Sequence, residues 1–190
     1  MKTIACLGSG NGTLGDPCYN AMVEVGHLLA KRGFAVATGG FGGAGMEAPA
    51  RGAKETGGVT IGYTMLGKKP NKWIMRIGDC AAQYHIGFFT PPIPEIQYGI
   101  RLGSLLSADG FIITAGGGPG SMVEFLAIVN LNCKLWGNPK RFTILNVLSD
   151  KGWDTDMCQK LNSWGVFPEA VEGLFITSLT PQQAVDWVCR

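Results

Sequence analysis

The chain has 190 residues, 46% of them hydrophobic and 16% charged, with a net charge of +2 at pH 7. This composition excludes intrinsic disorder, and we expect a single α/β domain over residues 1–190. Because no dense basic stripe and no apolar run of 18 residues occurs, we expect neither nucleic-acid binding nor a membrane span.

The six cysteines and two histidines form no pattern typical of a metal site or a disulfide framework. The cysteines include no CxxC pair and several lie in apolar runs, so we expect reduced core residues of a cytoplasmic protein. Neither histidine has partners at metal-ligand spacing, and we expect no metal and no cofactor. The apolar stretch at the N-terminus is too short for a signal peptide.

The first half of the chain alternates short apolar runs with helical patterns. The runs have the length of buried strands, and glycines follow the first two. Asp16-Pro17 predicts the N-cap and first position of a helix. In chain order, the predicted elements are a strand at 4–7, a helix from 17, a strand at 34–38, a helix at 46–55 and a strand at 59–62.

The second half begins with residues 63–85, which show no clear period and predict a long loop or flap beside the active site. The elements predicted after it are a short strand at 87–89, a helix at 95–107, strands at 110–113, 142–148 and 174–177, helices at 121–136 and 153–164, and a last helix opened by a capping box at 180–183. On the helix at 121–136, the spacing places Met122, Phe125, Leu126, Val129 and Cys133 on one apolar side.

Strands that alternate with helices in this way predict βαβ units. We therefore expect a Rossmann-like three-layer α/β/α sandwich with a mostly parallel sheet of six to seven strands. Ligands of such sheets bind beyond the carboxyl ends of the strands, where the glycine loops after the strands converge. The spacing does not fit the dinucleotide fingerprint GxGxxG, and the phosphate-loop motif GxxxxGK[ST] is absent.

The stretch TAGGGPGSMVE, residues 114–124, connects a predicted buried strand to a helix. A glycine-rich loop that opens a helix offers backbone N–H groups and the positive end of the helix dipole, which together bind anions and most often phosphate. Glu124 lies one turn into this helix, where its carboxylate would repel a phosphate. The position of Glu124 therefore indicates a role other than phosphate binding.

Two stretches resemble the motifs of a known family. Residues 39–53, GGFGGAGMEAPARGA, and residues 116–124, GGGPGSMVE, are similar to the motifs GGGxxGLMxAxxxGA and PGGxGTxxE of the Lonely Guy family of nucleotide-binding α/β proteins. The MEAP variant also resembles larger bacterial nucleotide 5′-monophosphate nucleosidases. The resemblance implies hydrolysis of the N-glycosidic bond of a nucleoside 5′-monophosphate, such as a cytokinin nucleotide, to free base and ribose 5-phosphate. Separately, helix faces rich in Leu, Met and Trp lead us to expect a homodimer or larger homo-oligomer.

The resemblance assigns catalysis to Arg101 and Glu124. A carboxylate stabilises the oxocarbenium-like sugar and can position water, while an arginine contacts phosphate or base. We expect the nucleotide and its phosphate to contact the glycine loops and their neighbours, with Ser121 in place of the usual threonine. These residues are Gly8, Ser9, Gly39, Gly40, Gly42, Gly43, Gly45, Met46, Glu47, Gly116, Gly117, Gly118, Gly120 and Ser121.

The chain departs from the family motifs at two positions near these groups. Gly116 replaces the proline of the second motif, and Leu102 replaces the lysine that usually follows the arginine. These departures leave open a second interpretation, in which the protein is a non-catalytic carrier of a nucleotide or of the molybdenum cofactor on the same fold.

Overall fold

The computed structural model describes residues 1–65, 68–77, 94–134, 138–148, 153–165, 171 and 173–190. The described strands are β1 (Thr3–Leu7), β2 (Ala35–Thr38), β3 (Thr60–Gly62), β4 (Arg76–Ile77), β5 (Gly110–Thr114), β6 (Phe142–Leu145) and β7 (Phe175–Ser178). The described helices are α1 (Pro17–Lys31), α2 (Glu47–Glu55), α3 (Pro94–Leu105), α4 (Pro119–Lys134), α5 (Trp153–Ser163) and α6 (Pro181–Val188).

The seven strands form one sheet in the order β4-β3-β2-β1-β5-β6-β7, and every neighbouring pair is parallel. The predicted α/β fold with a sheet of six to seven strands is confirmed. The chain runs outward from β1 to β4 and then returns to place β5 on the other side of β1. The topological switch point therefore lies between β1 and β5, where open α/β sheets bind ligands.

Two hydrophobic clusters cover the two faces of the sheet. On one face, side chains of β1, β2 and β5 pack against α1, α2 and α6. On the other face, the alternate side chains of these strands pack against α3, α4 and α5. Because both faces are buried, the central strands are apolar throughout rather than alternating between apolar and polar residues. The continuous apolar runs in the sequence predicted this burial.

Two predicted helix starts are confirmed. The Asp16 carboxylate accepts hydrogen bonds from the backbone N–H groups of Cys18 and Tyr19 at 2.8 and 3.2 Å. The Thr180 hydroxyl accepts from the Gln183 N–H at 3.2 Å. The return bond of this capping box goes from the N–H of Leu179, one residue before the cap, to the Gln183 side chain at 3.0 Å.

Three predictions differ from the structure or lie outside it. The predicted loop at 63–85 contains β4, which pairs with β3 over only two residues and so gives little sequence signal. Leu126 was expected on the buried side of its helix but is 43% exposed, because the buried face of α4 runs instead through Glu124, Phe125, Ile128 and Asn132. The predicted strand at 87–89 lies outside the described residues.

Helices α1 and α2 pack closely because each has a glycine at the contact. A Cβ atom at Gly26 would collide with the carbonyl oxygen of Pro49 and lie 2.8 Å from the Ala53 nitrogen. A Cβ at Gly52 would collide with the Val23 carbonyl oxygen. Since backbone atoms cannot move aside as flexible side chains do, larger residues at either position would force the helices apart.

We predict that Gly26→Ala lowers the free energy of unfolding by about 1–3 kcal/mol through this overpacking. The matched control is Gly103→Ala in α3, where a Cβ would meet no described atom within 4 Å. That substitution should raise stability by about 0.5–1 kcal/mol, because alanine loses less backbone entropy in a helix than glycine. Urea denaturation measures both changes, and equal effects of the two substitutions would contradict the prediction.

Candidate functional site

Three loops that follow β1, β2 and β5 are joined at the carboxyl edge of the sheet. The Ser9 N–H donates to the Thr114 hydroxyl at 3.1 Å, which connects the first loop to the end of β5. The N–H groups of Gly45 and Ala44 donate to the carbonyl oxygens of Ser9 and Asn11, both at 2.8 Å. The three glycine-rich segments thus form one surface across the switch point.

Glycine is needed where these loops touch. Gly8 has a φ of +118°, and a Cβ there would collide with the Thr114 hydroxyl. A Cβ at Gly45 would lie 2.6 Å from the Gly8 carbonyl carbon. At these two positions the absence of a side chain allows the backbones to approach each other.

Glu124 lies inside this surface, on the first turns of α4. Its side chain is 8% exposed, and its Oε2 accepts a hydrogen bond from the Gly8 N–H at 3.0 Å. A carboxylate has about four acceptor positions, of which this bond occupies one. The carboxylate is therefore fixed by the loop after β1, and the described residues leave it acceptor capacity for a further partner.

Arg101 reaches the same region from α3 and is held by backbone carbonyl groups. Its Nε donates to the Tyr63 carbonyl oxygen at 2.9 Å, and one terminal nitrogen donates to the Gly39 carbonyl oxygen and to the Met46 sulfur, both at 3.3 Å. Its guanidinium lies over the Phe41 ring, 5.5 Å from the centroid. A Cβ at Gly39 would overlap the guanidinium, so the glycine makes room for it.

The two predicted catalytic groups influence each other without direct contact. Among the described residues, Arg101 and Glu124 form no ion pair within 4.0 Å. Burial raises the pKa of Glu124 from its ordinary value of 4.5 to about 7, although the charge of Arg101 and the Gly8 hydrogen bond both act to lower it. Burial lowers the pKa of Arg101, and Glu124 opposes that shift.

The loop after β5 presents glycines to solvent at the start of α4. Gly116, Gly118 and Gly120 are exposed and Gly117 is partly so, an arrangement that leaves backbone accessible beside the helix N-terminus. Ser121 is different: its side chain is only 2% exposed and packs against Gly117, where a Cβ would collide with its hydroxyl.

The loop after β2 is mostly buried. Gly39, Gly40, Gly43 and Gly45 are buried by packing against the neighbouring loops, while Gly42 is exposed. Met46 contacts Arg101 as described above. Glu47, also at the start of α2, accepts a hydrogen bond of 3.4 Å from the Tyr19 hydroxyl on α1.

Sequence reasoning missed several groups that shape this surface. Phe41 is the one large side chain in its glycine loop, a feature that could have indicated its role. The Asn71 side chain supports that loop by donating to the carbonyl oxygens of Gly40 and Phe41 at 3.2 and 2.7 Å. No local signal reveals the Tyr63 contact of Arg101, because backbone carbonyls are common to all residues.

The described residues contain no group of three or more His, Cys, Asp and Glu side chains placed to hold a metal ion. In the same ranges, every helix is too short or too polar to cross a bilayer.

Comparison with known proteins identifies the family. Residues 1–130 match the model of the SLOG cluster4 family. The chain belongs to this family. No curated protein matches this SLOG cluster4 chain.

Several solved structures share the fold of this SLOG cluster4 protein. The structural genomics target TM1055 has a TM-score of 0.70 at 21% identity, with 98% of this chain and 97% of that chain covered. The molybdenum cofactor carrier protein of Chlamydomonas reinhardtii has a TM-score of 0.64 at 19% identity, with coverage of 100% and 99%. The molybdenum cofactor binding protein of Rippkaea orientalis has a TM-score of 0.63 at 21% identity, with coverage of 97% and 93%. At these identities the likeness establishes the fold.

The burial of Glu124 predicts a pH-dependent stability. Because its pKa is raised on folding from 4.5 to about 7, the folded state binds the proton more tightly, and stability falls as pH rises through that window. Relative to Glu124→Gln, which keeps the shape without the charge, the wild type should lose roughly 3 kcal/mol of unfolding free energy across the window. Urea denaturation of both proteins over this range measures the difference. A difference that does not change with pH would contradict the raised pKa.

Proposed function

We propose that this protein hydrolyses the N-glycosidic bond of a nucleoside 5′-monophosphate, releasing the base and ribose 5-phosphate. The observation that carries the proposal is the position of Glu124: a buried carboxylate, fixed by Gly8, at the topological switch point and on the helix opened by the glycine-rich loop after β5. The resemblance of the two glycine motifs to the Lonely Guy family supports the same reaction. A cytokinin nucleotide is one candidate substrate among others.

The phosphate is assigned to the exposed loop from Gly116 to Gly120. The start of α4 provides the positive end of the helix dipole, and glycines let the phosphate approach the backbone closely. The buried hydroxyl of Ser121 acts through the shape of this loop rather than through solvent-facing contact. Binding the phosphate positions the rest of the nucleotide over the crevice.

Glu124 then faces the ribose rather than the phosphate. As a carboxylate, it stabilises positive charge that develops on the sugar ring as the glycosidic bond breaks, and its remaining acceptor positions can hold a ribose hydroxyl or a water molecule. A site shielded from bulk water strengthens this electrostatic effect. Because the phosphate binds at the loop and the ribose at Glu124, the phosphate and the Glu124 carboxylate stay apart and their repulsion is reduced.

Arg101 is assigned to the phosphate or the base. Its described bonds to the protein use Nε and one terminal nitrogen, and a guanidinium has five N–H donors. The carbonyl groups of Tyr63 and Gly39 fix the plane of the group, so the other donors point in a defined direction. An ordered donor of this kind can stabilise charge on the departing base.

We predict that the purified protein releases free base from at least one member of a panel of AMP, GMP, IMP, CMP, UMP and a cytokinin nucleotide. Glu124→Gln should lower kcat by about 100- to 1000-fold, because it removes a charge that acts mainly in the transition state. Glu55→Gln is the matched control, since that carboxylate lies on α2 in an ion pair with Arg51. Base release is measured by chromatography. No release from any nucleotide, or undiminished release by Glu124→Gln, would reject the proposal.

The pH profile provides a separate prediction. The ionised form of Glu124 is the active form, so kcat/KM should rise as pH increases through about 7, the pKa of the buried carboxyl in the free protein. Initial rates at low substrate concentration over this range measure the profile. A rate that falls over the same range would indicate that the protonated carboxyl acts as an acid instead.

The second candidate function is a non-catalytic carrier of a nucleotide or of the molybdenum cofactor. The observations that favour it are Leu102 in place of the family lysine and the similarity in fold to two proteins named as molybdenum cofactor carrier and binding proteins. Saturable binding of a nucleotide or of the cofactor without release of base would support this function over hydrolysis.

We also propose that the protein acts in the cytoplasm as a homodimer or larger homo-oligomer. The support is the exposure of large apolar side chains on two helices that cover the same face of the sheet: Val123 and Leu126 of α4 are 45% and 43% exposed and Ile96 of α3 is 41% exposed. Sedimentation of the purified protein distinguishes a monomer from a dimer.

A further inference from the structure

A cavity of about 240 Å³ lies at the amino edge of the sheet, opposite the glycine loops. Its walls come from the residues just before β1, β2, β5 and β6 and from the end of the chain after α6. Because a parallel sheet sends all its carboxyl ends to one edge, this cavity is separated from the candidate catalytic site by the length of the strands.

The cavity is strongly basic. Four cationic side chains line it, together with one side-chain carboxylate, so the side chains alone sum to +3; they are Lys2, Lys140, Arg141, Arg190 and Asp109. The carboxylate of Asp109 already accepts a hydrogen bond of 2.7 Å from the Thr3 N–H. Because the side-chain cations outnumber the carboxylates in the lining, the cavity keeps an excess of positive side-chain charge.

Trp187 holds two of the arginines in place. The Arg141 guanidinium lies 5.0 Å and the Arg190 guanidinium 5.7 Å from its ring centroid. The ring itself is fixed, because its N–H donates to the carbonyl oxygens of Phe142 and Leu174 at 3.0 and 3.1 Å. Cation–π contacts with Trp187 thus place two positive charges, those of Arg141 and Arg190, at the same cavity.

Lys140 and Arg141 differ in their hydrogen bonds. The Lys140 ammonium donates to the carbonyl oxygens of Leu106 and Ser107 at 3.0 and 3.2 Å, just past the end of α3. A cation at the C-terminus of a helix has a structural reason to be there. In contrast, one terminal nitrogen of Arg141 is shielded from solvent and has no hydrogen-bond partner in the described part of the chain. A desolvated donor of this kind costs stability unless an acceptor is supplied.

We propose that this cavity binds a small phosphate-bearing anion through Arg141 and Arg190. A phosphate group carries up to two negative charges and three acceptor oxygens, so it can accept more hydrogen bonds from guanidinium groups than a carboxylate ligand can. The volume is below that of pockets for drug-sized ligands and suits a phosphate or diphosphate group with little attached. The site is independent of the proposed hydrolysis, since no residue assigned to catalysis lines it.

The indole N–H of Trp187 serves as the local reporter. Its resonance, assigned by its loss in Trp187→Phe, is followed while pyrophosphate or inorganic phosphate is added at constant ionic strength. We expect a saturable shift in the wild type and about ten-fold weaker binding in both Arg141→Gln and Arg190→Gln. Arg190 is exposed, so its variant tests the site even if Arg141→Gln does not fold.

Three controls sharpen this experiment. Lys54→Gln removes one positive charge from the exposed end of α2 and should leave the affinity unchanged, which separates a site from general electrostatic attraction. Glu124→Gln should also leave the Trp187 shift unchanged, which separates this cavity from the glycine loops. Succinate at the same concentrations should bind more weakly. No saturable shift, an unaltered affinity in both arginine variants, or equal binding of succinate would overturn the proposal.

Discussion

The hydrogen bond from the Gly8 N–H to the Glu124 carboxylate connects the two strands on which the site depends. Gly8 follows β1 and Glu124 belongs to the helix after β5, so the bond crosses the switch point. A buried carboxylate is costly unless it is paired or hydrogen-bonded, and here one backbone donor and the distant charge of Arg101 compensate only partly for burial. The raised pKa records that incomplete compensation. Burial of the charged form of Glu124 therefore lowers the free energy of unfolding.

The rest of the candidate site follows from keeping that carboxylate in place. Gly8 can make the bond only at a positive φ and in contact with Thr114, which excludes a side chain there. Gly45 packs against Gly8 for the same reason. Most glycines of the loop after β2 are therefore buried and allow close packing between the backbones of neighbouring loops. The exposed glycines before α4 instead leave the backbone accessible to solvent. Glycine richness in this chain has two physical causes that a sequence alone does not separate.

The fold was predictable because its signals are local. Buried parallel strands are continuous apolar runs, and the caps at Asp16 and Thr180 need only neighbouring residues. Arg101 and Glu124 were proposed as site residues from motif resemblance, but their surroundings could not be predicted. Arg101 is oriented by carbonyl groups 38 and 62 residues away in sequence, and carbonyl groups carry no residue identity. The prediction that Leu126 lies on the buried side of α4 was wrong, because α4 buries the polar Glu124 where spacing alone predicts an apolar residue.

The two edges of the sheet offer negative charge different kinds of partner. In an α/β fold the helices begin at the carboxyl edge, so dipoles and backbone N–H groups favour anions there without any cation. At the amino edge the helices end, their dipoles are negative, and cations stabilise the protein by themselves. Lys140 beside the end of α3 is accounted for in this way. Arg141 is not, since its shielded terminal nitrogen meets no described carbonyl. The distinction between a helix-capping cation and a ligand-binding one therefore depends on hydrogen-bond acceptors rather than on net charge, and one terminal nitrogen of Arg141 has no acceptor among the described residues.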